Sequence, residues 1–521
     1  MHRRGKVLSP MNVTITDQTW FIVAIILYML LMLAIGYWSY RQTDRYDEYM
    51  LAGRSLGPVV AALSAGAADM SGWLLMGLPG ALFVTGLSEI WIAVGLCIGA
   101  AINWIMVAPR LRAYTEVAGN SITIPSFLEN RLHDSSHILR IVASLVILVF
   151  FTFYVSSGMV SGGKYFESTF GGSYIDGMLI IAFVTVAYTF IGGFLAVSYT
   201  DAVQGMIMFG ALVIVPISAY ILIGGDYDIF SYATSNAYGP HPDGNPTYFS
   251  LFTGVSAAAI IGNLAWGLGY FGQPHIIVRF MALRSPKEAR SGMLVTVFWM
   301  VICALGAAGT ALVGTVFFGA YPERSVTDQT SYETIFLDMG RLLFHPLIGG
   351  LILTAVLAAI MSTMASQLLV VSSALIEDLY KITTKRTLSD GLLMNLSRTA
   401  VVAVAIVAAL LAINPSDSIL SLVGFAWAGF GAAFGPVILA SLFWRRLTAP
   451  GAIAGMITGT IIVFAWGNSA LGDWLYEIVP GFLGAGLVLV IVSLLTAAPT
   501  ARTLEEFDKA QVLAVTGGYE K

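Results

Sequence analysis

The sequence predicts an all-α integral membrane protein with about thirteen transmembrane helices. Three observations predict this class. First, 57% of the 521 residues are hydrophobic, only 11% are charged, and the mean hydropathy is +0.81. Soluble domains carry about 25% charged residues, so most of this chain must face lipid or other apolar helices. Second, the apolar residues form long runs, and third, two of these runs are interrupted near their middles by glycine, proline and polar residues.

Apolar runs of about 20 residues, the length that crosses a bilayer core as a helix, recur along the whole chain. The predicted spans are 18–38, 58–84, 88–108, 138–160, 175–195, 203–223, 252–276, 292–318, 343–376, 395–413, 418–443, 449–466 and 474–496. The first run follows a short basic leader and is long enough to be a retained helix rather than a cleaved signal peptide.

The placement of Lys and Arg predicts the orientation, because cytoplasmic connections are enriched in these residues. With the N-terminus outside, 20 of the 26 basic residues fall on the inside. The outside residues are Arg3, Arg4, Lys6, Lys164, Arg324 and Arg341. The sequence therefore predicts that the N-terminus lies outside and the C-terminus inside.

The two interrupted runs predict where a solute binds. The first reads Ala65-Gly66-Ala67-Ala68-Asp69-Met70-Ser71-Gly72-Trp73, and the second extends from Gly262 to His275. An unpaired amide in hydrocarbon costs several kcal/mol, so a broken helix persists only where it lines a cavity or a site. Paired interruptions in two halves of a chain are typical of secondary transporters. The pattern predicts a carrier of a small solute.

The interruptions also predict the domain organisation. Each begins a block of five spans, and an odd number of spans means that the second block enters the membrane from the opposite side. Parity alone therefore predicts an inverted repeat. The predicted segments are 1–57 (one peripheral helix and a cytoplasmic loop), 58–223 (first repeat), 224–251 (extracellular loop), 252–443 (second repeat), 444–496 (two peripheral helices) and 497–521 (cytoplasmic tail).

Asp69 is the first candidate for chemistry, since an ionisable side chain at membrane depth is expensive and by default suggests function. It lies inside the first interruption, where the freed carbonyls of Ala67 and Met70 are the oxygen ligands that a hard cation prefers. We expect Asp69 to act with a coupling cation, either directly or by ordering the unwound segment. The alternative is a purely structural carboxylate that caps a half-helix.

A second candidate for cation binding lies in the ninth predicted span. Ala359, Ser362, Thr363 and Ser366 follow the spacing i, i+3, i+4 and i+7, so they share one helix face. Two hydroxyls and a carbonyl on one stripe can complete an oxygen shell for a monovalent ion. Ser and Thr also join membrane helices to each other by hydrogen bonds. The stripe therefore indicates a cation site only if it lies beside the broken helix.

Aromatic residues predict the solute wall. Trp266 and Tyr270 are four residues apart in the second interruption, where Gly267 and Gly269 leave space for a compact apolar ligand. Half-helix N-termini would face its carboxylate. Trp73 and Tyr154 are further candidates, with less support from the sequence alone.

Several other functions lack a sequence signal. The six histidines form no helical metal-ligand pair, and no phosphate-binding GxxxxGK[ST] motif is present. We therefore expect neither an enzyme, nor an ATP-driven pump, nor an organic cofactor. No basic cluster with interleaved aromatic residues predicts nucleic-acid binding. A channel would need a continuous polar pore, whereas this sequence shows two localised breaks. A nutrient sensor that binds its ligand without transporting it stays open as an alternative.

The chain resembles the sodium:solute symporters over nearly its whole length. The matching stretches are Gly53-Arg54-Ser55-Leu56-Gly57-Pro58, Ala67-Ala68-Asp69-Met70-Ser71-Gly72-Trp73-Leu74-Leu75-Met76-Gly77-Leu78-Pro79-Gly80, Phe190-Ile191-Gly192-Gly193-Phe194-Leu195-Ala196-Val197-Ser198, Trp266-Gly267-Leu268-Gly269-Tyr270-Phe271-Gly272-Gln273-Pro274-His275 and Ala426-Trp427-Ala428-Gly429-Phe430-Gly431. Long ungapped matches are far more specific than a short motif. Within the family, the likeness is to bacterial members that carry L-proline.

The resemblance implies a leucine-transporter-like fold, a 5+5 inverted repeat that moves Na+ and L-proline together across a bacterial inner membrane. It implies a sodium site formed by Ala67, Met70, Ala359, Ser362 and Thr363, with Asp69 essential for coupling. It implies a substrate pocket formed by Ser71, Gly72, Trp73, Tyr154, Trp266, Tyr270, Gln273 and Pro274. Arg54 would affect coupling from the cytoplasmic end. Pantothenate, another amino acid, a sugar or an inorganic anion stays open as the solute.

Overall fold

The computed structural model describes residues 15–42, 45–223, 229–235, 245–320, 332–383, 389–415 and 417–517. Half of the predicted extracellular loop (224–228 and 236–244) lies outside these residues. So do Arg3, Arg4, Lys6, Arg324, Lys385, Arg386 and Lys521, which entered the orientation prediction.

The described chain is a bundle of long helices. In chain order they are α1 (Ile15–Tyr40), α2 (Pro58–Asp69), α3 (Trp73–Thr85), α4 (Leu87–Val117), α5 (Ile124–Leu132), α6 (Ile138–Phe170), α7 (Tyr174–Ile223), α8 (Ala257–Gly269), α9 (Pro274–Ala282), α10 (Ala289–Ala320), α11 (Pro346–Ser373), α12 (Asp390–Ala412), α13 (Ile419–Phe443), α14 (Ala449–Gly467), α15 (Ile478–Leu495) and α16 (Ala501–Thr516). Short helices cover Tyr46–Leu51, Ile229–Ser235, Ile335–Leu343 and Ala470–Trp474.

Ten helices among the described residues are long and apolar enough to cross a membrane, and the bent pair α2–α3 makes eleven. The structure therefore confirms a multi-pass helical protein. Two predicted spans fall outside that count. The run 175–195 corresponds to Tyr174–Phe190, which is shorter than a full span, and the run 252–276 corresponds to the short helices α8 and α9.

Gly193 divides α7 into two apolar segments. Its φ of 61° and ψ of −158° are not helical, and a positive φ of this kind suits glycine. A Cβ at Gly193 would also overlap the ring of Tyr49 in the helix Tyr46–Leu51. Glycine is thus required here twice, once for the backbone turn and once for the close approach of a neighbouring helix.

Both predicted interruptions are present. The first separates α2 from α3 at residues 70–72, and the two helices differ in direction by 61°. The second separates α8 from α9 at residues 270–273. The second break begins about two turns later than predicted, because the stretch from Gly262 to Gly269 is helical.

The glycines of α8 allow close helix packing instead of breaking the helix. A Cβ at Gly95 of α4 would meet the backbone of Leu264, and a Cβ at Gly99 would meet the backbone of Gly267. A Cβ at Gly269 would overlap the indole of Trp427. The expectation that Gly267 and Gly269 leave space for a ligand was therefore wrong, since protein atoms fill that space.

The C-terminal segment, predicted as a polar tail, contains the amphipathic helix α16. Its buried residues Thr503, Phe507, Ala510 and Leu513 follow the spacing of one helix face. That face packs against the part of α4 that begins at Ala108, against α5 and against the turn at Pro286–Glu288. The end of the bundle that carries α16 is called the closed end below.

Candidate functional site

A cavity of about 820 Å³ opens at the end of the bundle opposite the closed end. We call this cavity the vestibule. Its lining includes Glu89, Asn263, Trp266, Leu420, Ser421, Gly424, Asp473, Tyr476 and Glu477. The vestibule extends down to Trp266, at the last turn of α8, so it ends beside the second break.

The first break is held together by its own backbone and one indole. The amide of Ser71 donates to the carbonyl of Asp69 over 2.9 Å, and Trp73 Nε1 donates to the same oxygen over 3.1 Å. Ser161 packs so closely on Gly72 that a Cβ there would lie 2.9 Å from it. The two hydrogen bonds pair the Asp69 carbonyl, a polar group that helix breakage frees and that hydrocarbon surroundings require to be paired.

Four of the predicted sodium ligands converge between α2 and α11. Ser362 Oγ lies 2.7 Å and Thr363 Oγ1 lies 3.4 Å from the carbonyl oxygen of Ala67. Both hydroxyls lie 3.2 Å from the carbonyl oxygen of Ala359. All four groups are fully or nearly fully buried. The result is a compact cluster of uncharged oxygens, the donor set that suits a small hard cation.

Asp69 links the two broken helices. Its Oδ2 accepts a hydrogen bond from the hydroxyl of Tyr270, and its Oδ1 has no hydrogen-bond partner among the described residues. The side chain is fully buried. Met70 lies beside it in the break and is nearly fully buried as well. The carboxylate therefore faces the second break, while the Ala67 carbonyl two residues earlier faces α11.

The predicted aromatic wall is present and is larger than expected. The ring of Trp266 lies 6.0 Å from Trp73, 6.2 Å from Trp427 and 5.5 Å from Tyr476, measured between ring centroids. Tyr270 packs edge-on against Trp427 at 5.4 Å. Stacked and edge-to-face pairs of this kind stabilise each other beyond simple area burial. Together the rings form an apolar surface between the vestibule and Asp69.

The other predicted pocket residues occupy less uniform positions. Ser71 Oγ accepts a hydrogen bond from the amide of Trp73 at 3.4 Å. The ring of Tyr154, from α6, lies 5.8 Å from His275. Gln273 Nε2 donates to the carbonyl of Trp427 over 3.1 Å, while its Oε1 has no hydrogen-bond partner in the described chain.

Pro274 lines a small apolar cavity on the closed-end side of the break, together with Thr123 and Val278. Thus Pro274 faces away from the vestibule.

Arg54 joins three segments at the closed end. Its guanidinium donates to Asn120 Oδ1, Thr115 Oγ1, the Ser121 carbonyl and the Met281 carbonyl, over 2.8–3.1 Å. Burial, followed by the nearby charge of Arg112, lowers the pKa of Arg54 to about 10. Arg54 therefore stays charged at neutral pH and holds the chain before α2 against the ends of α4 and α9.

Sequence reasoning missed a buried ion pair beside the cation cluster. Arg279 lies 2.9 Å from Asp201 Oδ2, and both side chains are completely buried. Ser64 Oγ donates to the same carboxylate over 2.8 Å, and Ser366 Oγ lies 3.3 Å from it. Arg279 was counted among the basic residues of an inside connection, and that assignment was wrong because Arg279 lies within α9.

Trp427 and Tyr476 were also not predicted as parts of the wall. The resemblance included Trp427, but nothing local indicated its partners, which lie more than 150 residues away. Tyr476 belongs to the C-terminal pair of helices predicted to be peripheral. It nevertheless stacks on Trp266, and its hydroxyl donates to the Gly424 carbonyl over 2.6 Å.

Comparisons with known proteins agree with this architecture. The chain is 55% identical to the high-affinity proline transporter of Bacillus subtilis, over 92% of this chain and 99% of that one. It is 49% identical to the osmoregulated proline transporter of Bacillus subtilis, over 94% of this chain and 98% of that protein. It is 47% identical to the sodium/proline symporter of Staphylococcus aureus, over 95% and 96% of the two chains. All three are transporters, as expected here, and not enzymes.

Solved structures share the fold. A Na+-coupled sialic acid symporter, in a substrate-bound outward-open state, matches with a TM-score of 0.77 at 19% identity, over 92% of this chain and 99% of that one. The protein MhsT in complex with L-phenylalanine matches with a TM-score of 0.53 at 13% identity, over 84% and 98%.

The sodium:solute symporter family model matches residues 49–459. That range includes both breaks, the oxygen cluster and all of the aromatic wall except Tyr476. The chain belongs to the sodium:solute symporter family.

Proposed function

We propose that the protein couples inward flow of Na+ to uptake of L-proline by alternating access. The observation that carries this proposal is the cluster of oxygens from Ala67, Ala359, Ser362 and Thr363. The first break, which follows Ala67, is joined to the aromatic wall by the hydrogen bond between Asp69 and Tyr270. Three relatives at 47–55% identity that are named proline transporters support the choice of solute.

The proposed topology has thirteen spanning helices in a bacterial plasma membrane, with the N-terminus outside and the C-terminus inside. The vestibule end is then outside. Residues 58–223 and 252–443 are the two leucine-transporter-like repeats. The remaining segments are 1–57, 224–251, 444–496 and 497–521, as an N-terminal segment, an extracellular loop, a peripheral pair and a cytoplasmic tail.

Sodium acts first in the proposed mechanism. It enters from the vestibule and takes the oxygens of Ala67, Met70, Ala359, Ser362 and Thr363 as ligands, which fixes α2 against α11. The hydroxyls of Ser362 and Thr363 then turn their lone pairs to the ion instead of donating to carbonyls. Asp69 then orders the first break, and its hydrogen bond from the Tyr270 hydroxyl fixes the position of the Tyr270 side chain.

L-proline binds next. Its ring packs on Trp73, Trp266 and Tyr270, and its carboxylate lies at the N-terminus of α3, where backbone amides and the helix dipole favour an anion. Ser71, Gly72, Tyr154 and Gln273 complete the pocket, and Pro274 borders it on the closed-end side. The helices then rearrange so that the vestibule closes and the closed end opens. At the closed end, Arg54 binds the ends of α4 and α9 and so affects the coupling of sodium and proline transport.

Linkage makes the coupling reciprocal, because proline must raise sodium affinity by the same factor by which sodium raises proline affinity. A membrane potential of 100 mV contributes about 2.3 kcal/mol for each inward charge. Uptake is therefore expected to depend on both the sodium gradient and the potential.

The test is uptake of labelled proline into proteoliposomes with and without an inward sodium gradient. We expect uptake only with the gradient. Uptake that ignores sodium would remove the coupling, and sodium-dependent uptake of pantothenate, a sugar or another amino acid instead of proline would change the solute.

Two substitutions separate the sites. Asp69→Asn replaces the buried carboxylate with a neutral amide and removes the charge that strengthens its hydrogen bond from Tyr270, so the sodium concentration for half-maximal uptake should rise about 10-fold or more. Trp266→Ala removes apolar contact area, so the KM for proline should rise about 10-fold or more. Equal loss of both affinities in either variant would indicate misfolding.

A further inference from the structure

The second break is completed by donors from neighbouring helices. The amide of Tyr270 donates to the carbonyl of Gly267, so it does not serve the carbonyl of Trp266, its partner in a regular helix. The carbonyl of Tyr270 would in turn pair with the amide of residue 274, but Pro274 has none. Each of these carbonyls lies at a site where helical pairing fails.

Two buried side chains supply the missing donors. Trp427 Nε1 donates to the Trp266 carbonyl over 2.8 Å, and Asn103 Nδ2 donates to the Tyr270 carbonyl over 2.9 Å. A buried acceptor without a partner is costly. The observed shape of the break therefore depends on α13 and α4 as well as on its own sequence.

Trp427 contacts the break from both sides. Its indole N–H binds the carbonyl of Trp266 before the break, and its own carbonyl accepts from Gln273 Nε2 over 3.1 Å at the end of the break. Its ring packs against Trp266 and Tyr270. One residue of α13 thus connects the last turn of α8 with the residue that precedes α9.

Close backbone packing keeps Trp427 in this place. A Cβ at Gly269 would overlap the indole, and a Cβ at Gly431 would lie 2.9 Å from the Cα of Gly269. Leu420, Ser421 and Gly424 of the same helix line the vestibule. A shift of α13 therefore moves both the vestibule lining and the residue that holds the second break.

We propose that Trp427 is a positioning residue for the solute site, which holds the second break in the shape that aligns Trp266 and Tyr270 for solute binding. The inference rests on the proposed function for the identity of the solute, and its geometric part does not depend on that identity. Trp427 acts through Trp266, Tyr270 and Gln273.

The decisive variant is Trp427→Phe, which keeps a ring but removes the N–H donor. We expect the KM for proline to rise about 10-fold, a size consistent with one unsatisfied buried carbonyl. The maximal rate per folded molecule and binding of ²²Na+ without proline should stay within about two-fold. A lower yield of folded protein with an unchanged KM would overturn the proposal.

A matched control is Trp91→Phe. Trp91 Nε1 also donates to a backbone carbonyl, that of Leu251, over 3.0 Å, but away from both breaks. Its KM for proline should stay at the wild-type value, and an equal rise would show a general effect of losing an indole donor.

Gly269→Ala tests the same contact as Trp427→Phe by displacing the indole, and the KM should rise again. Unchanged KM values in both Gly269→Ala and Trp427→Phe would refute the proposal.

Amide hydrogen exchange separates this inference from the proposed function. Trp427→Phe should speed exchange across residues 266–273 and leave residues 66–72 unchanged, whichever solute is carried. If wild-type protein fails to transport proline but this local increase appears, the proposed solute is wrong and the positioning role stands. No change in exchange at 266–273 would refute the positioning role even if proline transport is normal.

Discussion

The buried pair of Asp201 and Arg279 lies one helical turn from the proposed sodium ligands. Arg279 donates to Ser64 Oγ over 3.0 Å and also binds Ser366, which follows Thr363 by three residues on α11. The group therefore connects α2, α7, α9 and α11, four helices around the same region. Buried ion pairs gain little net free energy, but removing one partner leaves an uncompensated charge.

Arg279→Met should destabilise the protein by about 3–5 kcal/mol, because Asp201 would be buried as an unpaired carboxylate. The double variant Asp201→Asn/Arg279→Met carries no such charge and should melt at a higher temperature than Arg279→Met alone. Thermal unfolding of detergent-solubilised protein measures this order of melting temperatures.

As a control, Arg445→Met breaks a pair with Asp508 in which each side chain is 56% exposed, and it should change stability by less than about 1 kcal/mol. A double variant that melts at or below the temperature of Arg279→Met alone would contradict the pairing.

The residues that the sequence predicted and those it missed differ in where they lie along an apolar run. Asp69 lies inside a run, so its burial was evident. Asp201 fell between the predicted spans 175–195 and 203–223, and Arg279 fell just past the span 252–276. Charged residues at span ends are usually solvated, and a boundary error of a few residues removed both from consideration.

At the scale of helices, the existence of both breaks was predictable because their signals are local: glycine, proline and an acidic residue within apolar runs. The position of the second break was not, since a glycine that ends a helix and one that admits a neighbouring helix look alike in sequence. Gly267 faces the backbone of Gly95, which lies more than 170 positions earlier. Only the packed structure distinguishes these two roles.

Helix α16 shows the same limit, because its partners are distant in sequence. The rings of Phe507 and Tyr114 each lie 5.0 Å from the guanidinium of Arg131, and the two rings pack edge-on against each other at 6.1 Å. Arg131 Nε also donates to the Ser441 carbonyl at the end of α13 over 3.0 Å. Glu506 pairs with His133 over 2.9 Å. The helix therefore fastens α5 to the ends of α4 and α13.

Phe507→Ala should lower stability by about 3 kcal/mol or more, because it opens a cavity beside Arg131 and leaves that cation with the ring of Tyr114 alone. Val515→Ala removes apolar atoms from the same helix at a side chain that is 79% exposed, so it should have little effect. Melting temperatures of the two variants in detergent provide the comparison. Equal values would show that α16 is not held by its Phe507 face.

For the whole molecule, the two ends of the bundle have opposite accessibility. The vestibule leads inward to Trp266, while Arg54 and α16 hold the other end together. In an alternating-access carrier the solute site is reachable from one side at a time. The vestibule must therefore close when the closed end opens, and open again when that end closes. The structure therefore corresponds to the state that admits solute from the proposed outside.

Single cysteines can report this exchange in a chain whose native Cys97 and Cys303 are replaced by alanine. Ser421→Cys lines the vestibule, and Ala118→Cys is buried near the Arg54 contacts at the closed end. In right-side-out vesicles, an impermeant maleimide added outside should modify Ser421→Cys. Sodium and proline together should slow that modification, because they favour closure of the vestibule.

In the same sample, a permeant maleimide should modify Ala118→Cys faster when both solutes are present, since the closed end opens as the vestibule closes. Sodium alone should protect Ser421→Cys little, because the ion orders the first break before the solute binds. Modification of Ser421→Cys only from the inside would reverse the orientation deduced from the basic residues. Parallel changes at both positions would exclude alternating access, because two ends that open together describe a channel and leave no energetic coupling between ion and solute.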